Sequence, residues 1–289
     1  MKIVVSQKTD KYLSELKKLD VTDIIISDDH FSSAVNGLND DELKEMTIKI
    51  HDNDLNCIVR VDRLYQESEL ESLKEYLKYL ESISVDAILF SDIALSTVIK
   101  EDKLNLKVIY APETLLTNSY DIEELKNDGI DNCVISKDIP FDNMLDIAHK
   151  VKDYCFLRVF GEILISYGRR RFISAYLRKL DEYRDNYFLQ EETRTQLLPI
   201  VEKENGTWLY GYCLQSFKEL EKISESGLTG IIIDEVFKDD DFTIEIVRLH
   251  HELLNKKISV EQALERLKQL DDREYCSLSE VKQTILEKE

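Results

Sequence analysis

The sequence predicts an α/β fold, a (β/α)8 TIM-like barrel with one long insertion between strands seven and eight. Three observations carry this. Eight short runs of β-branched and aromatic residues recur from the N-terminus onward. Amphipathic stretches alternate with them, the rhythm of a parallel sheet with helical crossovers. The first run is not followed by the G-x-G-x-x-G turn of a dinucleotide-binding open sheet, the main rival architecture.

In order, the runs are "KIVVS" (Lys2–Ser6), "DIIIS" (Asp23–Ser27), "CIVRVD" (Cys57–Asp62), "DAILFSD" (Asp86–Asp92), "KVIYA" (Lys107–Ala111), "NCVIS" (Asn132–Ser136), "CFLRVF" (Cys155–Phe160) and "GIIID" (Gly230–Asp234). Between them, "SELESLKEYLKYLESI" sets Leu70, Leu73, Leu77 and Leu80 at helical spacing. "SYDIEELKNDG" opens on a capping residue and closes on Gly129, a helix stop. The interval from strand seven to strand eight is far longer than one barrel helix requires. It opens with "FGEILISYGRRRFISAYL" (Phe160–Leu177), apolar enough for a helix tucked against the barrel. It continues into a hairpin whose two alternating runs flank Asn205-Gly206, a strong turn dipeptide. The barrel domain is thus assigned to 1–258, with 161–229 as its insertion, and 259–289 to a C-terminal helical tail. "DDDFTIEIVRLHHELLNKK" is the last barrel helix and "SVEQALERLKQL" opens the tail.

Composition bounds the partners. The chain has 289 residues, a hydrophobic content of 43% and a formal net charge of −20. Such a field opposes loose binding to polyphosphate, so any anion contact needs a local basic site or a partner chain. The N-terminus turns polar too soon for a signal segment, and no apolar run approaches the ~18 residues of a membrane span. A cytoplasmic protein with no membrane partner is the expectation. The five cysteines are scattered, without C-x-x-C, which argues against a disulfide framework or zinc knuckle. Cys57, Cys133 and Cys155 lie in apolar runs, as buried small hydrophobes do. "HHELLN" lacks the second histidine four residues on that a zinc-protease helix needs, and no metal ligand set is assigned.

In a barrel, residues following the strands converge on one mouth. Asp62, Glu113 and Asp234 follow strands three, five and eight and are the candidate catalytic acids. Asn118 and Lys137 follow strands five and six and, with Arg171, are candidate ligand-binding residues. Each competes with an ordinary capping role at a βα junction. The row Arg169, Arg170, Arg171 stands in a local basic excess within an acidic chain. If helical, the three side chains point ~100° apart from one to the next around the axis and cannot all meet one ligand. Arginine is the fitting cation for a carboxylate or phosphate clamp.

"VFGEILISYGRRRFISAYL", "LLPIVEKENGTWLY" and "GLTGIIIDEVFK", in this order and spacing, resemble the collagenase-like peptidase family U32. That family shows a His-Gly strand end followed by S-x-R-x-L-x-x-N-Y, a P-V-x-E-x-x-N-G-T hairpin and a G-[IV]-x-x-[FL]-K-I-[ED]-G strand. The resemblance is greatest to the short subunit of paired bacterial proteins linked to tRNA uridine 5-hydroxylation at the wobble base, a branch associated with prephenate. It implies that Arg171 is the retained family arginine beside the mouth. Arg169 and Arg170 are then additions suited to nucleic acid or a partner surface. Several members hold an iron–sulfur cluster through cysteines. Here Phe160 replaces the histidine, Leu164 or Ile165 stands near the place of a family cysteine, and "LDEYRDNYFL" replaces a C-x-x-x-C stretch. The implied reading is a cluster-free, partly degenerate member, with no cofactor in the lone chain and any iron–sulfur cluster in a homologous partner. A small carboxylic acid such as prephenate, and tRNA, are the other implied partners. A non-enzymatic scaffold that keeps the barrel is the alternative reading, and a peptidase ranks last.

Overall fold

The computed structural model describes residues 1–33, 37–177, 187–190, 192 and 197–280. Its elements are β1 (Lys2–Ser6), α1 (Leu13–Lys18), β2 (Asp23–Ser27), α2 (Asp40–Asp52), β3 (Asn56–Val61), α3 (Leu70–Ser82), β4 (Ala87–Phe90), α4 (Ala94–Asp102), β5 (Lys107–Tyr110), α5 (Ser119–Asn127), β6 (Asn132–Val134), α6 (Phe141–Lys150) and β7 (Cys155–Gly168). The insertion adds α7 (Phe172–Leu177), β8 (Tyr187–Gln190), β9 (Leu197–Lys203), β10 (Gly206–Gln215) and α8 (Leu220–Glu225). The chain then runs through β11 (Gly230–Ile233), α9 (Asp240–Leu254), α10 (Val260–Leu270) and β12 (Tyr275–Cys276).

Strands β1 to β7 pair in parallel in chain order, and β11 closes the circle by pairing in parallel with both β7 and β1. This is the eight-stranded (β/α)8 barrel that the sequence predicts. The strand parity divides the core in two. Val4, Ile25, Ile58, Leu89, Ile109, Phe156 and Ile232 point inward and fill the lumen. Their neighbours, such as Val5, Ile26, Val59, Phe90 and Ile231, pack outward against the helices. Leu73, Leu77 and Leu80 are the buried face of α3, as their spacing predicts.

One expectation needs correction. The arginine segment is not a helix from its start, because β7 runs on to Gly168 and only Phe172–Leu177 is helical. The reason is partnership. The β-branched stretch after Gly161 finds β10, which pairs antiparallel with β7 from Phe160 to Gly168 and carries β9 and β8 beyond it. An extended ladder outcompetes a short helix that has costly nucleation. The hairpin predicted around Asn205-Gly206 is β9–β10.

β7 changes partners through a local slip. Ile232 pairs with Arg158, and Ile233 pairs with Phe160, so Val159 is the extra residue of a bulge. The bulge inverts the parity of β7. Arg158 faces the lumen, but Phe160 belongs to the outer core. Gly161 follows with φ +116°, and a Cβ there would meet the Asp234 carbonyl oxygen at 1.9 Å. Only glycine fits. Beyond α10, the segment Asp271–Glu280 turns back, and β12 pairs with β10 while Leu278 is buried in the core.

Candidate functional site

The lumen changes character one layer above Ile58, Phe156 and Ile232. Two residues further along the same inward-facing rows stand Arg60, Arg158 and Asp234. The barrel thus carries a polar layer at the C-terminal ends of its strands. The Arg60 Nη2 donates to Asp234 Oδ1 at 2.7 Å, and Arg60 Nη1 lies 3.6 Å from Asp62 Oδ2. Arg158 donates to Glu113 at 2.8 Å and lies 3.3 Å from the second Asp234 oxygen. Lys137 donates to the Glu113 carbonyl at 2.8 Å and stands 3.9 Å from its carboxylate. Asp62 also accepts from the Ser33 amide at 2.7 Å and hydroxyl at 2.6 Å. Arg60, Arg158 and Lys137 therefore face Asp62, Glu113 and Asp234 in one continuous network with balanced charge.

Burial and pairing oppose one another here. Burial pushes the Asp234 carboxyl up, but the Arg60 and Arg158 guanidiniums outweigh it and hold it far below its usual range. Burial pulls Arg60 and Arg158 down, and the facing carboxylates more than restore their charge. Tyr210 of β10 is buried over this layer, and burial, then Asp62, pushes its phenol up, which keeps it protonated.

Two clefts flank the network. The larger, about 530 Å³ and open to solvent, is lined by Ser6, Gln7, Ser27, Ser33, Arg60 and Tyr210 among others. Among the described residues, the buried Arg60 Nε and Gln7 Oε1 have no hydrogen-bond partner. The smaller cleft, about 290 Å³, is lined by Glu113, Lys137 and Arg158. Glu113 is the most accessible carboxylate of the three, and with Leu115 it adopts positive φ, 65° and 76°. For non-glycine residues this costs on the order of 1–3 kcal/mol each.

Asp62, Glu113, Lys137 and Asp234 of the predicted set thus meet at the mouth. Asn118 instead caps α5, accepting from the Asp121 amide at 3.0 Å, and is exposed. The three arginines separate. Arg169 binds Glu69 and the Leu64 carbonyl, pinning the insertion to the loop after β3. Arg171 donates to Ser174 at 3.1 Å and stands 3.5 Å from Glu202, whose carboxylate also holds the first turn of α7. Arg170 is exposed and makes no ion pair among the described residues. Sequence reasoning overlooked Arg60 and Arg158 as mouth residues, although each is a charge inside an apolar strand.

An iron–sulfur cluster of the kind that the family resemblance raises is held by cysteine thiolates gathered in one place. Cys133 and Cys155 meet at 3.6 Å on adjacent strands, under the helices. Cys57 contacts Thr47, also in the outer core, and Cys213 and Cys276 lie at the base of the insertion. This donor set does not fit such a cluster.

The chain has known relatives. Over 216 residues the chain is 25% identical to the tRNA hydroxylation protein P2 of Bacillus subtilis (strain 168), covering 71% of this chain and 69% of that protein. The structure of the U32 peptidase Mk0906 superposes with a TM-score of 0.53 at 13% identity, over 83% of this chain and 94% of that one. A monomeric form of phosphoribosylanthranilate isomerase from Thermotoga maritima does so with a TM-score of 0.50 at 6% identity, over 87% and 98%. At such identities these two speak for the barrel alone. A sequence profile of peptidase family U32 matches residues 29–284, nearly the whole chain, and the chain belongs to that family.

Proposed function

We propose that this chain is a subunit or accessory protein of prephenate-dependent tRNA wobble-uridine 5-hydroxylation, and that its barrel mouth binds a small carboxylic acid. The relationship to a tRNA hydroxylation protein supports the process. The observation that carries the binding role is the buried Arg60 guanidinium, whose Nε has no protein acceptor among the described residues and stands beside an open cleft. Arg158 and Lys137 already grip a carboxylate, that of Glu113. A ligand carboxylate takes the same place when the strained Glu113 loop yields, and Arg158 supplies the planar fork that fits it. No histidine or cysteine enters the network, so it offers no Ser–His or Cys–His pair. Iron–sulfur chemistry, where the pathway needs it, belongs to a homologous partner chain.

The test has two arms. Calorimetry should show prephenate binding to the pure chain, with Arg158→Ala losing ~1.5–3 kcal/mol, the scale of a charged hydrogen bond. Nucleoside mass spectrometry should show loss of 5-hydroxyuridine-derived bases in cells lacking the chain, restored by the wild type and not by Arg158→Ala. Restoration by Arg158→Ala would instead favour the scaffold reading, in which the balanced ion pairs serve only to hold the barrel together. Unchanged tRNA in the deletion strain would remove the process itself.

A further inference from the structure

A second buried cluster lies outside the lumen, where β7 leaves the barrel. The bulge at Val159 turns Glu162 away from the lumen, and the residue after Asp234, Glu235, points the same way by strand parity. β10 brings Cys213, which pairs with Glu162 in the ladder. One carboxylate oxygen of each glutamate and the Cys213 Sγ lie within 4.8 Å of one another. All three residues are more than nine-tenths buried. The other oxygens are fixed by the backbone. Glu162 Oε2 accepts from the Val236 amide at 3.1 Å, and Glu235 Oε1 from the Phe237 and Lys238 amides at 3.3 and 3.2 Å. Each glutamate thus aims one oxygen at a common point, and the Cys213 thiol joins it without a hydrogen-bond partner among the described residues.

Arg273 occupies the approach to that point. Its Nη1 binds Glu162, its Nη2 lies 3.4 Å from Glu235, and its Nε binds Asp271. Unlike the acids, its side chain is 28% exposed, and it lines an open cleft of about 700 Å³ with Glu162, Gly211 and Cys213. One monovalent cation therefore serves Glu162 and Glu235 together, and it shares Asp271 with Lys238.

We propose that Glu162, Glu235 and Cys213 form a site for a divalent transition-metal ion, and that Arg273 is the displaceable plug of that site. Two carboxylates and a thiolate suit a borderline ion such as zinc, iron(II) or cobalt(II) rather than magnesium or calcium. A dication matches the charge of the two glutamates better than one shared guanidinium. Asp271, 3.4 Å from Lys238 and hydrogen-bonded by Tyr275 at 2.8 Å, stays in place to retain Arg273 when it swings out. The site owes nothing to the mouth, so it stands whether or not the chain serves tRNA hydroxylation.

The experiment uses the full chain, stripped with chelator and titrated with cobalt(II) and zinc. Equilibrium dialysis with elemental analysis should give one bound equivalent, and cobalt should produce a thiolate charge-transfer band. Cys213→Ser should abolish the band, and Glu162→Gln should weaken binding roughly ten- to hundredfold. Arg273→Gln should bind more tightly than the wild type, roughly tenfold, because the competitor is gone. A folded Arg273→Gln protein with no cobalt band overturns the proposal, as does a band that survives Cys213→Ser. If Arg273→Gln fails to fold, the wild type decides: no stoichiometric ion in it overturns the proposal equally.

Discussion

Asp234 and Glu235 are adjacent at the end of β11, yet their surroundings push them in opposite directions. Asp234 points into the lumen between two arginines and is held far below the usual carboxylate range. Glu235 points out toward the base of the insertion. Burial, then the neighbouring Glu162, pushes it up to about 8, and the shared Arg273 does not compensate. The lesson is that burial alone does not set the character of an acid. The count of facing cations does, and strand parity chooses which set of cations each residue meets.

Breaking the paired side should have the largest effect. Asp234→Asn leaves two buried guanidiniums short of a partner, and urea unfolding should show a loss of ~3–5 kcal/mol. In the wild type this contribution is present above the ordinary aspartate value of 3.8 and fades only in strong acid, since the folded-state value is depressed. Next comes the ligand arm. Glu113→Gln should strengthen small-acid binding, by ~1–2 kcal/mol, because it removes the internal competitor for Arg158 and Lys137. Arg171→Ala should leave that affinity unchanged in the same calorimetric titration, since Arg171 is committed to Ser174 and Glu202.

The underpaired side gives a pH signature of opposite sign. Glu235 binds its proton more tightly folded than unfolded, so its contribution is present below the ordinary value of 4.5 and is lost as pH rises toward about 8. The groups facing it are Glu162, Cys213 and Arg273, with Asp271 and Lys238 behind. In chelator-treated protein, Glu235→Gln should stabilise by ~1–2 kcal/mol at pH 8 and change little at pH 5, measured by denaturant midpoints at both values. An equal effect at both would show that Glu235 is no worse paired than Asp234. Among the changes in stability the smallest belongs to Arg170→Ala, within ~0.5 kcal/mol. Its expected consequence is weaker tRNA association that varies with salt, read from binding isotherms over a salt series.

Much of the barrel was legible because strand runs are local. β1 and β2 match their sequence runs residue for residue, and the others differ only at their ends, β7 excepted. Asp62, Glu113, Lys137 and Asp234 were legible because a parallel barrel sends every strand end to one face. Arg60 and Arg158 were not, though the signal existed. Each sits two residues after an apolar lumen residue, Ile58 or Phe156, so parity alone aims both at the mouth. What hid them is that each lies within an apolar strand run rather than after it. The Glu162 cluster was hidden for a deeper reason. It depends on a one-residue bulge and on a C-terminal segment folding back by more than a hundred positions, and no local pattern encodes either.

β11 is also the last barrel strand to be synthesised, and it alone joins β7 to β1, Gly230 lying opposite both Phe156 and Lys2. At roughly 5–20 residues per second, several seconds of translation separate the emergence of β7 from that of its closing partner. Through that interval two parallel edges stand open, and open edges invite intermolecular pairing. The β9–β10 ladder, by contrast, can form on the far half of β7 as soon as it leaves the ribosome, since its pairings are nearer in sequence. The insertion is therefore a scaffold in time as well as in space: it holds one end of the gap in register until β11 arrives.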